Sequence, residues 1–369
     1  MVTSLLRLSI QPDFDALRAN ILRQGTPKRV HYMELYQDQE IKDLVAARYD
    51  LEQGLDPGDP AFAYRREIAI QRFLGYELVA GALSPRLPVG ESAQLVQGGF
   101  VEDTTTATRQ SRGQRQWANE HEGVIGSWRD FEEYRWADPV EADLSPLDWA
   151  EKNLPEGMRV YVSTFNLFEL VTALFGYKKL CLNLYDAPDL VDAVCQKVGE
   201  LRLKHTEMVC DYGCVGMLFG GDDMGFKTSL LVPKDFLLDK IFPWYRRIVS
   251  VAHRKGKLAV LHCCGNIEGL MDEIINHSRF DGRHSFEDAI TPVTEAKGLY
   301  GDRIALIGGI DMDFLCRATP DQIRVRVRDT LDICHPGGGY CLGTGNTVAN
   351  YVPLENYLTM LDEGRRYSA

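Results

Sequence analysis

His262-Cys263-Cys264-Gly265-Asn266 is the stretch of this chain in which residue type and spacing speak most directly of chemistry. A histidine and a cysteine two apart on an extended segment project to the same side, and imidazole with thiolate is a soft donor pair suited to zinc. Cys263 then points the other way. The same spacing also fits a plainer arrangement, a core histidine packed beside small cysteines. Acids follow neighbouring apolar runs: Asp222 and Asp223, Glu287 and Asp288, and Asp311. Aspartate at such a turn commonly caps the next helix, which accounts for one or two of the five. The others are candidates for catalysis or metal ligation, because crowded carboxylates raise one another's pKa toward neutrality. Asp223 and Asp222 are the expected catalytic acids.

Two further stretches add candidates. GYCLGTGN (339–346) carries Cys341, Thr344 and Asn346. Asn346 sits where an amide would orient a substrate, whereas Cys341 lies deeper in the run and suits core packing. In RVHYMELY (29–36), Tyr32, Glu34 and Tyr36 alternate toward one side, so Tyr32 and Glu34 are expected at the substrate. A buried acid there needs a partner. Arg65 and Arg66 read as solvated.

These residues require a scaffold of strand ends. From residue 159 onward, short apolar runs ending in glycine or polar residues alternate with helical patterns, the rhythm of βα units around a parallel sheet. The runs are RVYVSTF (159–165), GCVGMLFGGDD (213–223), LAVLHCCG (258–265), FDGRHSFED (280–288), IALIGGID (304–311) and GYCLGTGN. RVHYMELY and GYELVAG (75–81) bring the strands to eight, which predicts a (β/α)8 TIM barrel of the α/β class with its active site at the C-terminal strand ends. PDFDALRANILRQG, ahead of the first strand, reads as a helix closing the barrel base. Residues 83–150 break the rhythm and are expected to form an inserted lid after strand two, so the whole of 1–369 reads as one domain.

Composition narrows the function. Acidic residues exceed basic ones, 53 against 41, so nucleic acid and anionic membranes would meet net repulsion. MVTSLLRLSI lacks the pattern of a signal peptide and no apolar stretch approaches membrane-spanning length, which makes the cytoplasm the expected location. Nine cysteines without framework spacing are expected to be mostly reduced, with Cys181, Cys195, Cys210, Cys316 and Cys334 as apolar packing. Neither GGGYCLGTGN nor FGGDDMG fits a dinucleotide or P-loop fingerprint.

At this level of detail the chain resembles the uroporphyrinogen decarboxylase superfamily, and within it the zinc methyltransferases that work with corrinoid proteins. HCCGN is similar to their H-x-C-G-N motif. SFEDAITPVTEAKGLYGDRIALIGGIDMDFL and GGYCLGTGNTVANYVPLENYLTML match the later blocks, and GVIGSWRDFEEYRWADP resembles the lid. HYMELYQDQE stands where the decarboxylases carry an arginine-rich motif for porphyrin carboxylates, which disfavours haem synthesis. Asn346 stands where the methyltransferases carry a further zinc-binding cysteine. The resemblance implies zinc on His262, Cys264 and Glu287, with Cys341 or water as fourth ligand, and pairing into homodimers. It also implies methyl transfer between a small methylated donor or acceptor, such as a methyl ether in an O-demethylation, and cobalamin on a separate corrinoid protein. Decarboxylation of a non-porphyrin acid is the alternative, and a non-catalytic binding protein the third reading.

Overall fold

The computed structural model describes residues 5–85, 97–102, 114–118 and 123–367. Its centre is a seven-stranded parallel sheet whose neighbours follow chain order: β1 (Leu78–Val79), β2 (Arg159–Val162), β3 (Val215–Gly221), β4 (Leu258–His262), β5 (Gly282–His284), β6 (Ala305–Ile307) and β7 (Tyr340–Cys341). Parallel neighbours need crossovers, and the expected amphipathic segments supply them as helices Pro188–Cys210, Phe242–Arg254 and Pro320–Cys334. Proline opens Pro188–Cys210 and Pro320–Cys334 at a position where its missing N–H costs nothing, and Thr319 with Gln322 completes a capping box.

The first expected strand is not one. Tyr32 and Gln37 make isolated parallel bridges to Leu342 and Val348, which curls the sheet toward closure in a TIM-barrel-like form. Met33 N donates to Leu342 O at 3.1 Å and Asp38 N to Val348 O at 2.9 Å. Between them the ladder is interrupted, because Thr344 N donates to the Glu34 carboxyl instead of to a backbone carbonyl. Toward β1 the segment is held by side chains: Arg29 and His31 both reach Glu77, and the Tyr32 and Tyr76 rings meet edge-on.

Alternation along the strands separates two apolar layers. Met33, Leu35, Leu78, Met217, Phe219, Leu258, Val260, Ala305, Ile307 and Cys341 fill the interior. Phe14, Leu17 and Ile21 of the Phe14–Ile21 helix close its base, as the leading segment predicts. Residues of opposite parity, such as Leu218, Leu261 and Leu306, pack against the helices.

Of the segment expected as a lid, Gln97–Glu102 and Gln114–Ala118 pair antiparallel, while 86–96, 103–113 and 119–122 lie outside the described residues. Helix Ser145–Asn153, its last part, is packed as scaffold: Glu151 Oε2 accepts from Cys214 N at 2.7 Å, just before β3. All nine cysteines are free. Among the described residues no helix is long and apolar enough to cross a membrane.

Candidate active site

β4 and β5 set the site. In β4, Leu258 and Val260 face the interior, so His262 faces it too and Cys264 follows two residues later. In β5, Gly282 packs against the interior side chains Val260 and Ile307, which puts His284 on the inner side and Arg283 on the outer. Register then pairs His262 with His284, and their ring centroids lie 4.8 Å apart.

At the strand ends three donors converge. His262 Nε2 lies 3.2 Å from Cys264 Sγ and 3.6 Å from Asp223 Oδ1, and the three atoms all fall within 4.8 Å of one another. Tetrahedral zinc with bonds of about 2.0–2.3 Å would separate its ligand atoms by roughly 3.3–3.8 Å, close to the two separations that His262 Nε2 makes. Cys264 N donates to Asp223 Oδ1 at 2.8 Å, tying two of the donors together through backbone. Burial pushes the Asp223 carboxyl and the Cys264 thiol up and takes His262 down to about 3, in each case toward the neutral form. Deprotonated Asp and Cys ligands around a dication would reverse that balance.

Asn346 lies against this cluster. Its Oδ1 accepts from Thr347 N at 2.7 Å, which leaves Nδ2 to donate to Cys264 Sγ at 2.9 Å. The amide therefore stabilises sulfur in its anionic form rather than adding a ligand. Leu35, Tyr36, Ser163, Asn166, Glu169, Asp223, His262, Asn346 and Thr347 line a cavity of about 230 Å³ at the cluster. Burial and the charges of Asp222 and Asp223 hold the Glu169 carboxyl well above the usual range, although its side chain is open to the cavity.

The other expected site residues lie outside this donor set. Asp222 is fully buried, where it accepts from Phe168 N and Glu169 N, both at 2.7 Å, and from Tyr245 Oη, so it caps helix Leu167–Phe175. Tyr32 faces the outer layer and donates to Leu361 O at 3.1 Å. Glu34 is held on Thr344 and, with Tyr32, lines a separate cavity of about 60 Å³. Cys341 lies in the interior layer near the base, 3.5 Å from Asn20 Nδ2, and is not in the donor cluster. Glu287 accepts from Gly265 N at 3.4 Å beside the cluster. Asp311 caps the Met312–Arg317 helix. His284, Asn166 and Glu169 are absent from the sequence reading. For His284 a signal existed, since in GRHSFED it ends the strand next to β4, but only register brings it to His262.

The fold and this strand-end site belong to an enzyme family: the uroporphyrinogen decarboxylase (URO-D) family model matches residues 122–367, and the chain is a member of that family. Uroporphyrinogen decarboxylases of Coxiella burnetii, from strains Dugway 5J108-111 and RSA 493 / Nine Mile phase I, are 25% identical over 186 residues, 50% of this chain and 50% of theirs. The chain thus matches about half the length of these relatives. A methyltransferase from Methanosarcina mazei shares the fold, with a TM-score of 0.66 at 18% identity and 100% of both chains covered.

Proposed function

We propose that the protein is a zinc-assisted methyltransferase that moves a methyl group between a small methylated compound and cobalamin on a separate corrinoid protein. The observation that carries this reading is the convergence of Asp223 Oδ1, His262 Nε2 and Cys264 Sγ at the strand ends. Three protein donors with space on the cavity side is the pattern of a catalytic rather than a structural zinc site. Asp223 takes the third position, with Glu287 next to it. Bound zinc would supply Lewis acidity to the heteroatom that carries the methyl group.

The chain's own residues do the remaining work. Asn346 steadies the Cys264 sulfur, and Glu169, with its raised pKa, delivers a proton to the heteroatom as the methyl group departs. The described cavity lining contains no lysine or arginine, which suits an uncharged donor such as a methyl ether, in the direction of O-demethylation. In this reading residues 1–369 form one (β/α)8 domain, and the enzyme works in the cytoplasm with its cysteines reduced.

Zinc content of the purified protein is the first test. About one ion per chain is expected, lost in Asp223→Ala, His262→Ala and Cys264→Ala, together with demethylation of methyl ethers in the presence of cob(I)alamin. Wild-type protein that holds no zinc and transfers no methyl group sinks the proposal. Decarboxylation of a small acid is the second reading, favoured by the Coxiella relatives and by Glu169 as a proton donor. Carbon dioxide release without corrinoid would select it.

A further inference from the structure

We propose that His284 is a positioning residue that locks His262 in its Nδ1–H tautomer, leaving the Nε2 lone pair aimed at Cys264 and Asp223. Proton counting along the contacts leads there. Thr344 O is an acceptor only, and His284 Nε2 lies 3.0 Å from it, so His284 carries its proton on Nε2. In a neutral ring the other nitrogen is then an acceptor. His284 Nδ1 lies 2.6 Å from His262 Nδ1, so His262 must be the donor in that pair. Both rings are buried, at 0% and 3% exposure, where a charged imidazolium is costly. A single neutral arrangement satisfies both contacts, and it bares His262 Nε2.

The surroundings are shaped to hold this arrangement. A Cβ on Gly308 would stand 2.2 Å from Thr344 O and 2.8 Å from His284 Nε2, so the absence of a side chain there lets the pair meet. The Thr344 peptide is anchored from its other side, where its N–H reaches the buried Glu34 carboxyl at 3.0 Å. Phe219 meets the His284 ring edge-on and limits its rotation. Ring orientation and tautomer are therefore set by β5, β6 and the end of β7 together, rather than by the motif that contains His262. The tautomer stands on geometry alone; its consequence for zinc rests on the function proposed above.

The tautomer is read from nitrogen shifts and long-range couplings of ¹⁵N-histidine in the metal-free full chain, with His262 assigned by substitution. A proton on Nδ1 of His262 is expected in wild type and in His284→Gln, whose amide can accept from His262 and donate to Thr344. In His284→Leu the proton moves wholly or partly to Nε2. Zinc affinity should fall about 10–100-fold in His284→Leu, the range seen when an outer-shell partner is lost, and return to within a few-fold of wild type in His284→Gln. A wild-type His262 protonated at Nε2 overturns the proposal, whatever the fate of the variants. So does a folded His284→Leu protein with unchanged tautomer and affinity. Wild type that shows the Nδ1–H form but takes up no zinc supports the lock and removes the zinc reading alone.

Discussion

Cys264 and Asn346 show how a single side chain can change the chemistry of its neighbour. Had Asn346 been a fourth soft ligand, the sulfur would share a cation; as a donor at 2.9 Å it instead tempers a thiolate. Asn346→Leu keeps the branched shape and removes the donor. A lost hydrogen bond to a charged sulfur, at about 1.5 kcal/mol, corresponds to roughly a tenfold drop in thiolate fraction. Alkylation of Cys264 by iodoacetamide in metal-free protein should slow by about that factor, followed by peptide mass mapping. Cys263, fully buried next to it, should stay unmodified in both proteins. Unchanged Cys264 kinetics would show that the amide does not act on the sulfur.

Two elements meet at Asp222, the end of β3 and the start of helix Leu167–Phe175. Its carboxylate joins them by accepting from Phe168 N, Glu169 N and Tyr245 Oη, while burial pushes its pKa up to about 7. Losing a helix cap costs about 0.5–2 kcal/mol, and leaving a buried donor unpaired about 1–3 more. Asp222→Ala should therefore lower unfolding stability by roughly 2–4 kcal/mol in a denaturant titration. Normal stability with lost turnover would instead make Asp222 a catalytic acid. Gly308 is the comparable point on the loop after β6, with φ of 81°. Gly308→Ala meets both the left-handed backbone penalty and the contact with Thr344 O, and should destabilise by roughly 1–3 kcal/mol. The melting temperature of that variant is the check.

Across the whole molecule, Glu34 ties the first segment to the end of β7 and makes stability depend on pH. Thr344 Oγ1 lies 2.5 Å from both Glu34 Oε2 and Asn346 O, yet a hydroxyl has one proton. If that proton goes to the carbonyl, Glu34 must be protonated and donate to Oγ1, in keeping with burial raising its pKa to about 8. Folded protein then holds a proton that the unfolded chain releases above about 4.5, so this contribution is full below that pH and is lost as pH rises toward 8. His262 acts with the opposite sign: its pKa of about 3 makes stability rise with pH from about 3 to 6.5. The difference between wild type and Glu34→Gln isolates the first term. The variant should gain melting temperature relative to wild type between pH 6 and pH 9, and a constant difference across that range would refute a protonated Glu34.

Much of this was written in the sequence, and the part that was not has a common cause. Local pattern fixes what a short stretch can decide for itself: short apolar runs ending in glycine or polar residues became β2 to β7, Pro188 and Pro320 began helices, and Asp13 capped the helix that closes the base. The pairing of His262 with Cys264 was equally local, since two residues along a strand share a side. RVHYMELY has the composition of a strand, yet it makes only isolated bridges because the carboxyl of its own Glu34 accepts the N–H of Thr344, 310 residues away in sequence, in place of a backbone carbonyl. Parity in the sheet, set by packing of distant strands, sent Tyr32 to the outer layer. It turned adjacent Asp222 and Asp223 to opposite tasks, one to a helix and one to the donor cluster. His284 reaches His262 only through the register of β4 with β5, which depends on loop lengths and side-chain fit across the sheet and leaves no trace in either motif.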